Sequence, residues 1–245
     1  MPKYFVDSSN IKEDTILITD DNFHHIKNVM RFNLQDELTI GNKENINYKC
    51  VIEEIGKDFI KAKILETFMA NTEPSIEVVL FAPLIKGDKM ELVIQKAIEI
   101  GATKIIPIYT KNCVVKLEAE KKTTSKLERW NKIAESASKQ SGRGVIVSVE
   151  MPMDFKNALS FAKENFEINI IPYEKEQSIN IKTALRDNTF SGIGIFIGPE
   201  GGFDKDEIAL SEQFNVVSVS LGQRILRSET ASIVSIALVI YELEL

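Results

Sequence analysis

Cysteine is scarce in this sequence: Cys50 and Cys113 are the only two, and no Cys-x-x-Cys spacing occurs. That excludes a disulfide framework and a cysteine-rich zinc module. It suits a reducing compartment, where each cysteine reads as a small buried apolar residue. Histidine is equally scarce. His24 and His25 are adjacent, and neighbours in an extended segment point to opposite faces, so no metal site is expected. No stretch approaches the roughly 18 consecutive apolar residues of a membrane span, and no apolar run follows a basic start, so a cytoplasmic protein without membrane contact is expected. Basic charge is in deficit, with a net charge of −6. This disfavours a general nucleic-acid coat but leaves room for a local basic face. There is no Gly-Lys-Ser/Thr loop and no Gly-x-Ser-x-Gly elbow, which removes the usual triphosphate loop and hydrolase nucleophile. Gly192, Gly194 and Gly198 are wrongly spaced for a dinucleotide fingerprint and lie late in the chain.

What is present is enough apolar residue, 44% of 245, for a sizeable core in one or two domains. Two styles of patterning meet near residue 72. Before it, Tyr48, Cys50 and Ile52 alternate with Lys49, Val51 and Glu53; a turn at Gly56-Lys57-Asp58 follows; then Ile60, Ala62 and Ile64 alternate with Lys61 and Lys63. That predicts a hairpin in a small, mostly antiparallel barrel. Asn71-Thr72-Glu73-Pro74 reads as the linker. After it, apolar strands alternate with amphipathic helices. Strands are expected at Ile76–Ala82, Lys104–Tyr109, Val145–Val149, Ile168–Ile171, Ile193–Ile197 and Val216–Leu221. One helix, carrying Met90, Val93, Ile94, Ala97 and Ile98, has Asp88 and Glu91 as cap and partner and Gly101 as its stop. The next shows Ser125 and Glu128 as a capping box, with Leu127, Trp130, Ala134 and Ala137 on one face. Further helices are expected at Asp154–Glu164, Asp204–Phe214 and Glu229–Leu243. This rhythm predicts a parallel sheet covered on both faces, with ligands bound beyond the carboxyl ends of its strands.

Two loops follow late strands. Gly198-Pro199-Glu200-Gly201-Gly202-Phe203 puts three glycines and a proline into five positions, more than the helix cap at Asp204-x-x-Glu207 requires. Leu221–Ala231 crowds Arg224, Arg227, Glu229 and two hydroxyls into the lead-in of an apolar helix. A solvated charged turn accounts for Arg224 but poorly for the density around Arg227, Glu229 and Thr230.

These two loops closely resemble the signature of SPOUT-class methyltransferases, and within that class the RsmE family, which methylates uridine N3 in 16S ribosomal RNA. Other segments extend the resemblance: His24-His25 through Val29-Met30-Arg31; Lys86-Gly87 with Met90-Glu91 and Lys96 through Glu99-Ile100-Gly101; Arg129-Trp130 through Ala134-Glu135; and Gln140-Ser141 with Arg143. Met30 and Ser136 replace the family's usual Leu and Ala. The resemblance implies a PUA-like β-barrel RNA-binding domain over residues 1–71. It implies a SPOUT-type α/β domain over 72–245, whose C-terminal part forms a trefoil knot that no periodicity could reveal. It further implies a homodimer that completes each active site and S-adenosylmethionine as the methyl donor. The donor is expected on Ile171, Pro172, Gly198, Pro199, Glu200, Gly201, Gly202, Leu221, Gly222, Ile225, Leu226, Thr230 and Ala231.

Uridine N3 holds a proton near neutral pH, so the reaction needs a base or a cation facing the ring carbonyls. Arg227 is the expected cation, and Glu200 and Glu229 are the expected bases, although either carboxylate could instead anchor a loop. Residues 121–143 carry seven Lys or Arg against two Glu. Lys121, Lys122 and Lys126 read as a solvated face, while Arg129 and Arg143 match the family pattern. With Arg31 and Lys86 these are expected on RNA phosphates, and His24 and His25 are further candidates. Residues 1–70 hold nine Lys or Arg against twelve Asp or Glu, so recognition of 16S rRNA is expected to lean on shape and to favour the assembled small subunit.

Overall fold

Alternation does in the chain what it promises in the sequence: Ile16, Ile18, Leu38, Ile40, Cys50, Ile52, Ile60 and Ala62 all face one fully buried cluster. The computed structural model describes residues 3–114, 120–186 and 190–244. It divides into two units, one made of the chain up to Glu73 with Ser138–Ile146, the other of Pro74–Ala137 with the chain from Val147 onward. The first unit holds β1 (Lys3–Phe5), β2 (Ile11–Lys12), β3 (Thr15–Ile18), α1 (Asp20–His24), β4 (Glu37–Gly41), β5 (Ile46–Ile55) and β6 (Ile60–Met69). Its sheet runs β1-β4-β5-β6-β3-β2, antiparallel except for the β1–β4 pair. Burial leaves the Cys50 thiol inert, its pKa pushed up to about 12. The two histidines correct the extended reading. His24 ends α1 and His25 opens a π-helical turn over His25–Val29, where its Nδ1 lies 3.2 Å from the buried Tyr4 hydroxyl.

Arg143 also corrects its expected role. Its side chain is 3% exposed and donates to both Glu73 carboxylate oxygens at 2.7–3.0 Å, so it cannot meet an RNA phosphate. Gly144 N–H donates to the same carboxylate at 2.7 Å, and the Lys3 ammonium caps the Arg143 carbonyl. What reads as a linker turn at Glu73 therefore fastens the segment 138–146 to the first unit. Burial pushes the Glu73 carboxyl up, but the Arg143 hydrogen bonds and charge, Gly144 N–H and Thr72 outweigh it and hold the pKa below its ordinary 4.5. A depressed carboxylate binds fewer protons in the folded than in the unfolded chain. Its stabilisation is therefore complete above about pH 4.5 and is lost as pH falls through the lower folded value. Urea unfolding between pH 3 and 6 is expected to show this acid loss, and Glu73→Gln is expected to flatten it. An equally steep loss in the variant would contradict the assignment.

The second unit holds β7 (Glu77–Pro83), α2 (Asp88–Ile100), β8 (Lys104–Tyr109), α3 (Glu120–Gln140), β9 (Ser148–Val149), β10 (Met153–Asp154), α4 (Phe155–Asn165), β11 (Ile168–Pro172), α5 (Ile181–Leu185), β12 (Gly192–Phe196), α6 (Lys205–Gln213), β13 (Val217–Val219) and α7 (Ser228–Glu244). All its strand pairs are parallel, in the order β10-β8-β7-β12-β11-β13, with β9 also on the edge of β8. Both faces are covered. Val93, Ile94, Ala97, Trp130, Ala134, Ile181, Ile236 and Val239 pack on one side. On the other, Phe155, Leu159, Ala162 and Ile208 meet Phe81 and Phe196, whose rings stack at 4.2 Å.

Capping differs from expectation at two helices. Gly87, at φ +64°, is the N-cap of α2, so Asp88 is already helical. The third helix has begun by Glu120, which places Ser125 and Glu128 inside it rather than at its start. Asp154 and Asp204 do cap α4 and α6, the latter with Glu207 in a full capping box. The strands expected at Val145–Val149 and Val216–Leu221 shrink to β9 and β13. No helix among the described residues is long and apolar enough to cross a membrane.

Candidate active site

Strand order gathers the site. β12, β11 and β13 are neighbours, so the loops leaving their carboxyl ends converge, as open parallel sheets require of a ligand site. They enclose a pocket of about 510 Å³, well inside the usual range for small-molecule sites of about 300–1,000 Å³.

Most of the expected donor-site residues meet there. Pro172, the whole of Gly198–Gly202, Leu221, Gly222, Ile225, Leu226 and Ala231 line the wall, together with Arg227. Three do not. Ile171 is fully buried in the core, while Thr230 is exposed and Glu229 half-buried, both off the wall. Ser228, one of the two hydroxyls in the second loop, also lines it, as do Tyr173, Glu174 and Lys89, which no sequence signal singles out.

The glycine loop is held from two sides. Ser228, 5% exposed at the start of α7, donates its hydroxyl to the Gly198 carbonyl at 2.6 Å and so stitches the two loops together. Asn112, in the loop after β8, donates to the Gly201 and Gly202 carbonyls at 3.3 and 3.1 Å. The glycines then differ in what they would tolerate. A Cβ on Gly201 would sit 3.1 Å from the Asn112 Cβ, inside the fold itself. Gly202 lies at φ +67° with open space around its missing Cβ. The backbone conformation that favours glycine therefore belongs to Gly202, and the tight approach at Gly201 is to protein.

Charge on the wall comes from both loops and from α2. The Lys89 ammonium lies 3.5 Å from Glu229 Oε1 and 3.8 Å from Glu200 Oε1. The side chain of Glu229 is 13% exposed against 33% for Glu200, and Glu229 Oε2 is buried without a hydrogen-bond partner. Arg224 and Arg227 are exposed on the wall. The pocket can thus hold a small molecule while offering two carboxylates on its wall, Glu174 and Glu200, of which Glu200 stands beside Lys89. Among the described residues no three His, Cys, Asp or Glu side chains cluster as metal ligands.

The expected RNA contacts are dispersed. His24, His25 and Arg31 are exposed in the N-terminal unit, Arg31 at φ +56°. Lys86 and Arg129 are exposed in the other unit, Arg129 paired with Glu91 at 2.6 Å while its side chain stays 66% exposed.

Comparison with known proteins gives a consistent picture. Residues 72–240 match a family described as an RNA methyltransferase domain, and 18–65 match an RNA methyltransferase PUA domain. The chain is 34% identical to ribosomal RNA small subunit methyltransferase E of Bacillus subtilis, over 100% of this chain and 98% of that protein. It is 36% identical to the protein of that name from Mesomycoplasma hyopneumoniae, over 95% and 96% of the two. The crystal structure of a ribosomal RNA small subunit methyltransferase E from Neisseria gonorrhoeae, bound to S-adenosyl methionine, superposes with a TM-score of 0.85. It is 26% identical and covers 97% of this chain and 96% of that one.

Proposed function

Since the chain belongs to the RsmE family of SPOUT-class ribosomal RNA methyltransferases, we propose that its pocket binds S-adenosylmethionine and that it methylates N3 of a uridine in 16S rRNA of the small subunit. One observation carries the reading: the two loops singled out in the sequence close on a single pocket. The residues fit the donor. Gly202 and Gly222, at φ +67° and +104°, leave open space where side chains would stand. Leu221, Ile225 and Leu226 offer apolar surface, and the backbone of Gly198–Gly202 offers polar groups.

Bound there, S-adenosylmethionine supplies a methyl group already activated on a sulfonium, so the protein's work lies on the acceptor. Glu200, more accessible than Glu229, accepts the N3 proton, and Arg227 faces a ring carbonyl where negative charge develops. Glu229, off the wall and more deeply buried, serves as an anchor.

The same reading has residues 1–71 as the PUA-like RNA-binding barrel and 72–245 as the catalytic domain, threaded at its C-terminal end into a trefoil knot. It has the chain working as a homodimer. Ile225, 88% exposed on the pocket wall, and the exposed Leu238 and Tyr241 of α7 offer apolar surface that supports a partner. RNA phosphates are met by Arg31, Lys86 and Arg129, with His24 and His25 nearby in sequence to the first. Arg129→Ala is expected to weaken binding of small-subunit RNA and to lower the slope of log K against log salt by about one. Its affinity for the donor is expected to stay unchanged. A salt slope equal to that of the unaltered protein would remove Arg129 from the interface.

Isothermal titration with S-adenosylmethionine tests the pocket assignment in the absence of RNA. Saturable heat is expected; none would leave an RNA-binding protein that keeps the fold without the donor site.

A further inference from the structure

Lys89 has no place among the groups named from sequence, yet it stands at the centre of the site's charge. It projects from the first turn of α2, an element that contributes neither signature loop. Its ammonium is flanked by Glu229 at 3.5 Å and Glu200 at 3.8 Å, and it lines the pocket beside Glu200. Glu229 holds it from the buried side. With Glu229 Oε2 lacking any donor, Lys89 is the ion-pair partner on which that carboxylate depends. The other cations on the wall, Arg224 and Arg227, are exposed, where solvent screens them more strongly.

An ammonium and a carboxylate side by side present a hydrogen-bond donor next to an acceptor. The imide edge of uracil presents the complement, an N3–H flanked by carbonyl oxygens. In the same register cytosine would set its bare N3 lone pair against the Glu200 carboxylate, and it has no N3 proton to give up. Enzymes that act on a base read this edge, and a mismatched polar pair costs them heavily.

We propose that Lys89 and Glu200 together read the imide edge of the acceptor base, with Lys89 donating to a ring carbonyl oxygen and Glu229 holding Lys89 in place. The inference rests on the uridine-N3 reading given above. As the N3–H bond breaks, its proton passes to a Glu200 oxygen. The electron pair left on N3 forms the bond to the methyl carbon, and the carbon–sulfur pair departs with sulfur. Lys89 stabilises the negative charge gathering on the carbonyl oxygen.

The test compares single-turnover methylation of small subunits carrying uridine or 5-fluorouridine at the target position. The fluorine makes N3–H more acidic, so less help is needed from a cation. Lys89→Met is expected to lower the rate on uridine by roughly 10²-fold and to lose most of that deficit on 5-fluorouridine. Its S-adenosylmethionine affinity, measured by calorimetry, is expected to stay within a few-fold. Lys89→Arg, which keeps the charge, is expected to recover much of the rate. The same deficit on both acceptors, a loss of donor affinity matching the loss of rate, or an Arg variant as impaired as Met would each overturn the assignment. No transfer by the unaltered protein to either acceptor would instead sink the uridine-methylation reading beneath it.

Discussion

Glu200→Gln is expected to slow methyl transfer by roughly 10²- to 10⁴-fold, the range typical of a lost general base. Its affinity for S-adenosylmethionine is expected to stay within a few-fold. Glutamine keeps the shape of the side chain, so the turn from Pro199 O to Gly202 N–H survives, as does the pairing of Asn112 with the Gly201 and Gly202 carbonyls. What it loses is the capacity to take a proton. Among the described residues, Glu174 is the other carboxylate on the pocket wall, and it follows β11 rather than pairing with Lys89. Single-turnover rates with saturating donor, paired with calorimetry, separate the two effects. A rate within about threefold of the unaltered protein would show that the N3 proton leaves by another route, since a lost base costs orders of magnitude.

Gly202→Val is expected to weaken S-adenosylmethionine binding by about 100-fold or more while the chain stays folded. A side chain at φ +67° carries strain of roughly 1–2 kcal/mol, and more when β-branched. Its methyl groups would also enter open space on the pocket wall. The neighbouring glycine makes a control within the same loop. Gly201→Ala meets the Asn112 Cβ at 3.1 Å, a contact the protein can relax by a few tenths of an ångström, so a milder loss is expected. Calorimetry on both variants, with thermal unfolding to confirm the fold, decides the order. Equal affinity in Gly202→Val and the unaltered protein would take this loop out of the donor site.

Much of this arrangement was legible because it is local. The strand at Lys104–Tyr109 and the capping box at Asp204 and Glu207 coincide with expectation, since strand patterning and capping chemistry act within a few residues. The two loops stood out for the same reason, their glycines and charges being packed into short stretches. Arg143 misled because its partner is distant. In sequence it ends a basic run rich in lysine, and only the folded chain shows Glu73, seventy residues away, closing on its guanidinium. Lys89 was invisible for the converse reason: a lysine in the first turn of a helix reads as solvated until the loops of β12 and α7 are brought against it. The adjacency of β12, β11 and β13 is likewise a matter of strand order, which periodicity does not encode. The histidine pair failed on a local point, because Asp20, Asp21 and Asn22 start a short helix where an extended segment was read.

The most direct test of the central claim is to incubate the protein with labelled S-adenosylmethionine and unmodified small ribosomal subunits, then digest the RNA and identify the labelled nucleoside. The account predicts N3-methyluridine at a single position of 16S rRNA, with far less label on a short oligonucleotide of the same sequence. A 2′-O-methyl nucleoside would keep the fold and contradict the chemistry assigned to Glu200 and Lys89, and no label in any RNA would contradict the assignment of methyltransferase activity itself.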